Sequence, residues 1–222
     1  MRRICLVILC LSLFFVPVRG QQVQYVALTF DDGPSGRFTR RLWEGLEERD
    51  VQATFLLCGY RLKQDPKTAE KIRDAGHEIG LHGYSHDNMG KMSAKKVAKE
   101  IADTRALLPE GCKVAFLRPP GGATGEGVTQ AAKDAGLALL SWSVDPRDWA
   151  VRDAQAVQTA VLADVQDGDV VLLHDMSDSS VDAALGIVDR LQQQGFQFVT
   201  VSQLAQLRGV TPKAGENYRC FP

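Results

Sequence analysis

At 222 residues the chain is long enough for one domain with a full hydrophobic core and short for two, so no separate binding module is expected. Its 26 basic and 27 acidic residues give a formal net charge of -1, and loss of residues 1–20 would remove Arg2, Arg3 and Arg19 and no acids, leaving 23 basic against 27 acidic. That balance excludes a nucleic-acid binder, whose phosphates demand a positive surface, and says nothing against a neutral sugar polymer.

Residues 1–20 have the order of a secretory signal peptide: basic Arg2 and Arg3, the apolar run Ile4 to Val16, then Pro17, Val18, Arg19 and Gly20 ahead of polar Gln21 and Gln22. The apolar run is about 13 residues where a membrane span needs roughly 20. Cleavage after Gly20 is expected, with a secreted or envelope location and no stable membrane insertion. Residues 21–222 form the mature domain, expected as a monomer. Three cysteines remain. Cys58 ends the apolar run Ala53 to Leu57 and is expected as a buried thiol, while Cys112 with Cys220 is the one pair to consider for a disulfide.

Seven apolar runs follow in order: Val23 to Phe30, Ala53 to Cys58, Glu78 to Leu81, Val114 to Leu117, Leu137 to Val144, Val170 to Leu173, and Phe196 to Val199. Between them lie stretches of helical period: Phe38 to Arg49, Lys67 to Ala75, Ser93 to Leu108, Gly125 to Ala135, Asp153 to Val165 and Val181 to Gln194, with Gln203 to Leu207 as a short tail. Ser93 precedes the stripe Val97, Ile101 and Leu108 and is expected as its N-cap. Gly76, Gly136 and Gly195 each stop a helix before a strand. The alternation predicts an α/β fold of parallel strands, either doubly wound or closed as a barrel.

A nucleotide cofactor is disfavoured, because Asp31-Asp32-Gly33-Pro34 follows the first strand where a phosphate-binding loop needs glycines. Polar groups also end the third to sixth runs: His82, Arg118, Asp145 and His174. In a parallel barrel such ends converge on one face. His82 and His86 are four apart, which points both imidazoles one way if a helical turn joins them, and two imidazoles with one carboxylate make an open catalytic metal shell. Asp31 and Asp32 raise a difficulty, since adjacent side chains on a strand point to opposite faces; one could bind metal while the other serves as base, or one could cap the turn. His77 begins its strand and belongs at the opposite end. Arg118-Pro119-Pro120-Gly121-Gly122 is too stiff for helix or sheet and would hold an arginine rigidly, and Trp142 and Trp149 are either core or a platform for a sugar face.

Taken together, five ordered motifs resemble the polysaccharide deacetylases, the NodB-homology carbohydrate esterases of family 4. They are Thr29-Phe-Asp-Asp-Gly-Pro34, His82-Gly-Tyr-Ser-His86, Arg118-Pro-Pro-Gly121, Asp145-Pro-Arg-Asp-Trp149 and Leu172-Leu-His-Asp175. The resemblance implies a distorted, incomplete (β/α) barrel of about seven strands. It implies one divalent ion, zinc by preference or cobalt, on Asp32, His82 and His86. Asp31 would be the base, oriented by Arg118, and His174 the acid, held by Asp148. Pro120, Gly121, Tyr84 and Trp149 would meet substrate. The implied substrate is an N-acetylglucosamine-containing glycan of peptidoglycan or chitin type, giving acetate and a free amine, with O-acetyl xylan as the alternative and a non-catalytic carbohydrate binder as a further one. One departure stands out: many members carry an aromatic residue where this chain has Gly121.

Overall fold

The computed structural model describes residues 23–222, so the expected signal segment lies outside the described residues. Strand β1 (Gln24–Asp31) leads through α1 (Arg37–Glu47), β2 (Thr54–Leu57), α2 (Gly59–Gln64) and α3 (Pro66–Asp74) to β3 (Glu78–Leu81). A 3-10 turn at Met89–Lys91 precedes α4 (Ala94–Arg105) and β4 (Phe116–Leu117), and a second at Pro120–Gly122 precedes α5 (Glu126–Asp134) and β5 (Ala138–Leu140). The remainder holds α6 (Asp148–Val151), α7 (Ala154–Asp164), β6 (Val170–His174), α8 (Asp178–Gln193), β7 (Phe196–Phe198), α9 (Val201–Leu207) and β8 (Asn217–Tyr218).

Local chemistry accounts for the boundaries. Ser93 caps α4 by accepting from Lys96 N at 3.4 Å, and Val97 and Ile101 form its buried stripe. Leu108 lies beyond the helix end and packs there as a partly buried residue. The three glycines that stop helices, Gly76, Gly136 and Gly195, all have positive φ. The expected tail is a true helix, α9, held by a reciprocal capping box between Thr200 and Gln203.

The strands are ordered β6-β1-β2-β3-β4-β5-β8, with β7 on the first residues of β1, and every ladder is parallel. Val144, beyond β5, bridges Val171 of β6. The sheet therefore curls until its far side touches β6 through one bridge, an incomplete barrel as expected. Two differences have a clear cause. The run Leu137 to Val144 is strand only to Leu140, because Ser141 N turns to Tyr218 O and Arg118 takes the carbonyls of Leu140 and Ser141. Strand β8, which no apolar run announced, supplies that partner by pairing Asn217 and Tyr218 with Leu139 and Leu140. The three cysteines among the described residues are free: Cys58 is buried, as expected, and Cys112 and Cys220 are not joined.

Period-two alternation divides the strands between two layers. On β1, Val26, Leu28 and Phe30 join Leu42 and Leu46 of α1 and Ile187 and Leu191 of α8 in an outer core. A second outer core packs Leu81, Leu117 and Leu139 on α4 and α5. The inner layer, including Ala27, Leu56, Phe116, Leu140 and Val170, meets Val201 and Leu204 of α9 and Phe221. Val201 N bonds to Thr54 Oγ1 at the start of β2, and Phe221 N to Gly168 O ahead of β6, so this plug fills the N-terminal end of the barrel. Each fully buried Leu or Phe contributes about 1.5–3 kcal/mol, enough to hold the strands without the polar residues at their other ends. Among the described residues no helix is long and apolar enough to cross a membrane.

Candidate active site

Following the inner layer towards the C-terminal strand ends, the apolar side chains give way to Asp31 two residues after Thr29, Arg118 two after Phe116, and His174 two after Leu172. Asp31 and His174 are register partners on β1 and β6. These ends open into a cavity of about 490 Å³ whose lining includes Asp31, Asp32, His82, His86, His174 and Trp142.

Asp31 and Asp32 reach the same cavity because the strand ends between them. Asp32 has φ +75, and this left-handed residue cancels the alternation that would send adjacent carboxylates to opposite faces. Its Oδ1 lies 2.9 Å from His86 Nε2 and 3.4 Å from His82 Nε2. Nδ1 of His82 is 2.7 Å from the carbonyl of Arg118, which can only accept; Nδ1 therefore carries the proton and Nε2 turns a lone pair to the cavity. No helical turn joins His82 to His86, contrary to the reading from their spacing. The chain between them is irregular, and positive φ at Gly83 (+82) and His86 (+64) brings the second imidazole back.

One donor atom from each of Asp32, His82 and His86 lies within 4.8 Å of the others. Asp32 Oδ1 is buried and makes no hydrogen bond of good geometry. One carboxylate and two imidazoles, aimed at a common point rather than satisfied by one another, fit a divalent ion with an open position. Burial opposes the charge on Asp32, but the two imidazoles outweigh it and hold the carboxyl well below the usual carboxylate range. The close approach of the Asp32 carboxylate in turn raises the pKa of His86 against its partial burial.

On one flank Arg118, with no exposed surface, donates from Nη1 to Asp31 Oδ1 at 2.7 Å and to Thr29 Oγ1 at 2.8 Å. Its other nitrogens hold the Leu140 and Ser141 carbonyls, so each of the three guanidinium nitrogens has a partner. On the other flank buried Asp148 takes both His174 N at 3.0 Å and His174 Nδ1 at 2.8 Å. The ring is therefore oriented with Nε2 left for the cavity. Burial disfavours the imidazolium, but the hydrogen bond and charge of Asp148 outweigh it and push His174 up to about 9.

Gly121 and Trp149 line the cavity, and Trp149 is 54 % exposed. Pro120 is buried in its 3-10 turn and Tyr84 stacks its ring over Gly59, so neither is part of the lining. Gly121 has φ +62, a conformation that residues with side chains rarely adopt, although a Cβ added there would meet nothing within 4 Å. Trp142 lines the cavity while its ring packs on Arg118, with the guanidinium carbon 5.6 Å from the centroid. His77 is buried at the far end of β3, where Ala53 N donates to its Nδ1 and burial lowers its pKa to about 4.

A family profile described as Polysaccharide deacetylase matches residues 19–140. The chain is 35 % identical over 189 residues to a peptidoglycan-N-acetylglucosamine deacetylase of Bacillus cereus, covering 82 % of this chain and 89 % of that protein. The chain belongs to the polysaccharide deacetylase family. It is also 36 % identical to the peptidoglycan-N-acetylmuramic acid deacetylase PdaC of Bacillus subtilis, covering 82 % of this chain but 39 % of PdaC. Among solved structures, a family 4 acetyl xylan esterase of Clostridium thermocellum in complex with a cobalt ion superposes with a TM-score of 0.83 at 32 % identity, covering 90 % of this chain and all of that one.

Family membership makes the protein a hydrolase of the polysaccharide deacetylase type and agrees with the candidate site for a divalent ion. Two buried or loop-binding acids that the sequence did not single out also lie against the site. Glu100 of α4 accepts from the backbone between the two histidines. Asp175, fully buried, accepts from Thr39 Oγ1 beneath the turn that carries Asp32. Burial raises the Asp175 carboxyl to about 6 against that hydrogen bond. Asp175 sits inside a recognised motif and could have been flagged, whereas Glu100 is one acid among many on an amphipathic helix.

Proposed function

We propose that the protein removes acetyl groups from N-acetylglucosamine units of a glycan of peptidoglycan or chitin type, outside the cytoplasm, after loss of residues 1–20. The observation that carries the reading is the pairing of two oriented proton-transfer groups across one metal-ligand cluster: Asp31 with Arg118 on one side, His174 with Asp148 on the other. Asp32, His82 and His86 would hold the ion, for which zinc is the first expectation and cobalt the second. Bound there, it supplies Lewis-acid polarisation of the acetyl carbonyl and lowers the pKa of a water.

The chain's own groups do the rest. Asp31, oriented by its hydrogen bond from the Arg118 guanidinium, accepts the proton of the attacking water. Gly121 lines the cavity, and its backbone N–H would be a donor to the developing oxyanion. His174, held by Asp148, donates from Nε2 to the departing amine nitrogen. Trp149 offers an exposed ring to a sugar face. The likeness to an acetyl xylan esterase supports ester hydrolysis at the same site as the second reading. An acetate-release panel on peptidoglycan, chitin oligomers and acetylated xylan tests both. Release from the first two supports the amide reading, release from xylan alone selects the esterase, and none from any defeats both.

A further inference from the structure

Two of the three proposed metal ligands, His82 and His86, hang on a five-residue stretch with no regular structure. Gly83 and His86 both sit at positive φ, a conformation uncommon for a residue that carries a side chain. The stretch is held from α4. Oε2 of Glu100 accepts from Tyr84 N at 2.7 Å, from Ser85 N at 2.8 Å and from Ser85 Oγ at 3.1 Å. A Cβ added to Gly83 would come 3.5 Å from the same oxygen, so the carboxylate lies against the loop along its length. The backbone beside it is tied on the other flank, with Gly59 N on Gly83 O and Tyr60 N on Tyr84 O, both at 2.9 Å.

From this we infer that Glu100 is a positioning residue for the metal site: its carboxylate fixes the loop that joins His82 to His86 and so sets the distance between their Nε2 atoms. It touches neither the ligand atoms nor the cavity lining. The inference rests on the Asp32, His82 and His86 reading of the metal site. Two consecutive backbone N–H groups converge on one oxygen, and a charged acceptor makes each bond stronger than a neutral one would. Without it those two N–H groups lose their acceptor, and the left-handed histidine loses the contacts that hold it.

The test uses purified Glu100→Ala, Glu100→Gln and wild-type protein, with zinc affinity measured by chelator competition and fold by circular dichroism. Glu100→Ala is expected to weaken zinc binding by about tenfold or more, the usual range for a partner behind a ligand, while the circular dichroism spectrum is unchanged. Glu100→Gln keeps an amide oxygen for the two N–H groups and is expected to recover most of that loss. Ser85→Ala, which removes the weakest of the three bonds, serves as a second variant should Glu100→Ala fail to fold; a small loss of affinity is expected. Zinc affinity equal to wild type in folded Glu100→Ala, or in Ser85→Ala if the alanine variant does not fold, overturns the inference. Failure of the wild type itself to bind zinc or cobalt would instead defeat the metal reading on which it rests.

Discussion

Arg118 Nη1 stands 2.7 Å from Asp31 Oδ1 with both side chains almost wholly shut from solvent. A charge pair so placed is worth little as a net source of stability but costs about 3–5 kcal/mol to break by removing one partner. Arg118→Met should therefore lower unfolding free energy by about that amount, measured by urea denaturation. A loss below about 1 kcal/mol would place the pair in the class of solvated surface bridges instead.

Asp31→Asn tests the division of labour between the adjacent carboxylates. Asp32, turned by its left-handed φ, puts one oxygen near both imidazoles, whereas Asp31 gives Oδ1 to Arg118 and keeps Oδ2 3.7 Å from His82 Nε2 alone. The variant should keep its metal and lose turnover by about 10²–10⁴-fold, the scale of general-base catalysis. Metal loss equal to that of Asp32→Asn, by elemental analysis, would show that the two acids share the ion.

His82→Ala should lose the metal and stay folded, because the two outer cores do not depend on the ligand cluster. Elemental analysis alongside circular dichroism checks both halves. Full occupancy in the folded variant would remove His82 from the ligand set.

The His174–Asp148 pair makes a pH prediction whose sign follows from linkage. His174 is raised from 6.5 to about 9, so its contribution to stability is fully present below 6.5 and is lost as pH rises from there through about 9. Asp148→Asn should abolish that window and move the alkaline limb of the pH–rate profile downward, with amide hydrolysis reduced more than ester hydrolysis because the amine is the poorer leaving group. An unmoved alkaline limb with turnover preserved would reduce Asp148 to a structural support.

On the proposed export, protein recovered from a secreting host should have the mass of residues 21–222, the basic start and short apolar run having the order of a cleaved signal. An intact mass that still includes Met1 to Gly20 would count against export by cleavage.

Much of this molecule is legible in its sequence because two periodicities and the placement of polar residues are local properties. Alternating strand and helix runs announced the α/β fold, and four strand ends carried their own markers in Asp31, His82, Arg118 and His174. The motif resemblance went further and grouped those residues before any contact was known. What local pattern could not decide was whatever depends on groups brought together from a distance. A barrel rather than an open sheet follows from the single bridge between Val144 and Val171, and β8 is a strand only because β5 offers it an edge. Asp31 and Asp32 share one cavity because Asp32 takes a backbone conformation that residue identity alone does not dictate, and His86 joins His82 without the helical turn that their spacing suggested. Glu100 looks like any solvated acid on a helix until folding places the loop of His82 and His86 against it. Sequence determines which groups each strand end presents; the side chains that orient them arrive from elsewhere in the chain, and only packing in three dimensions selects those.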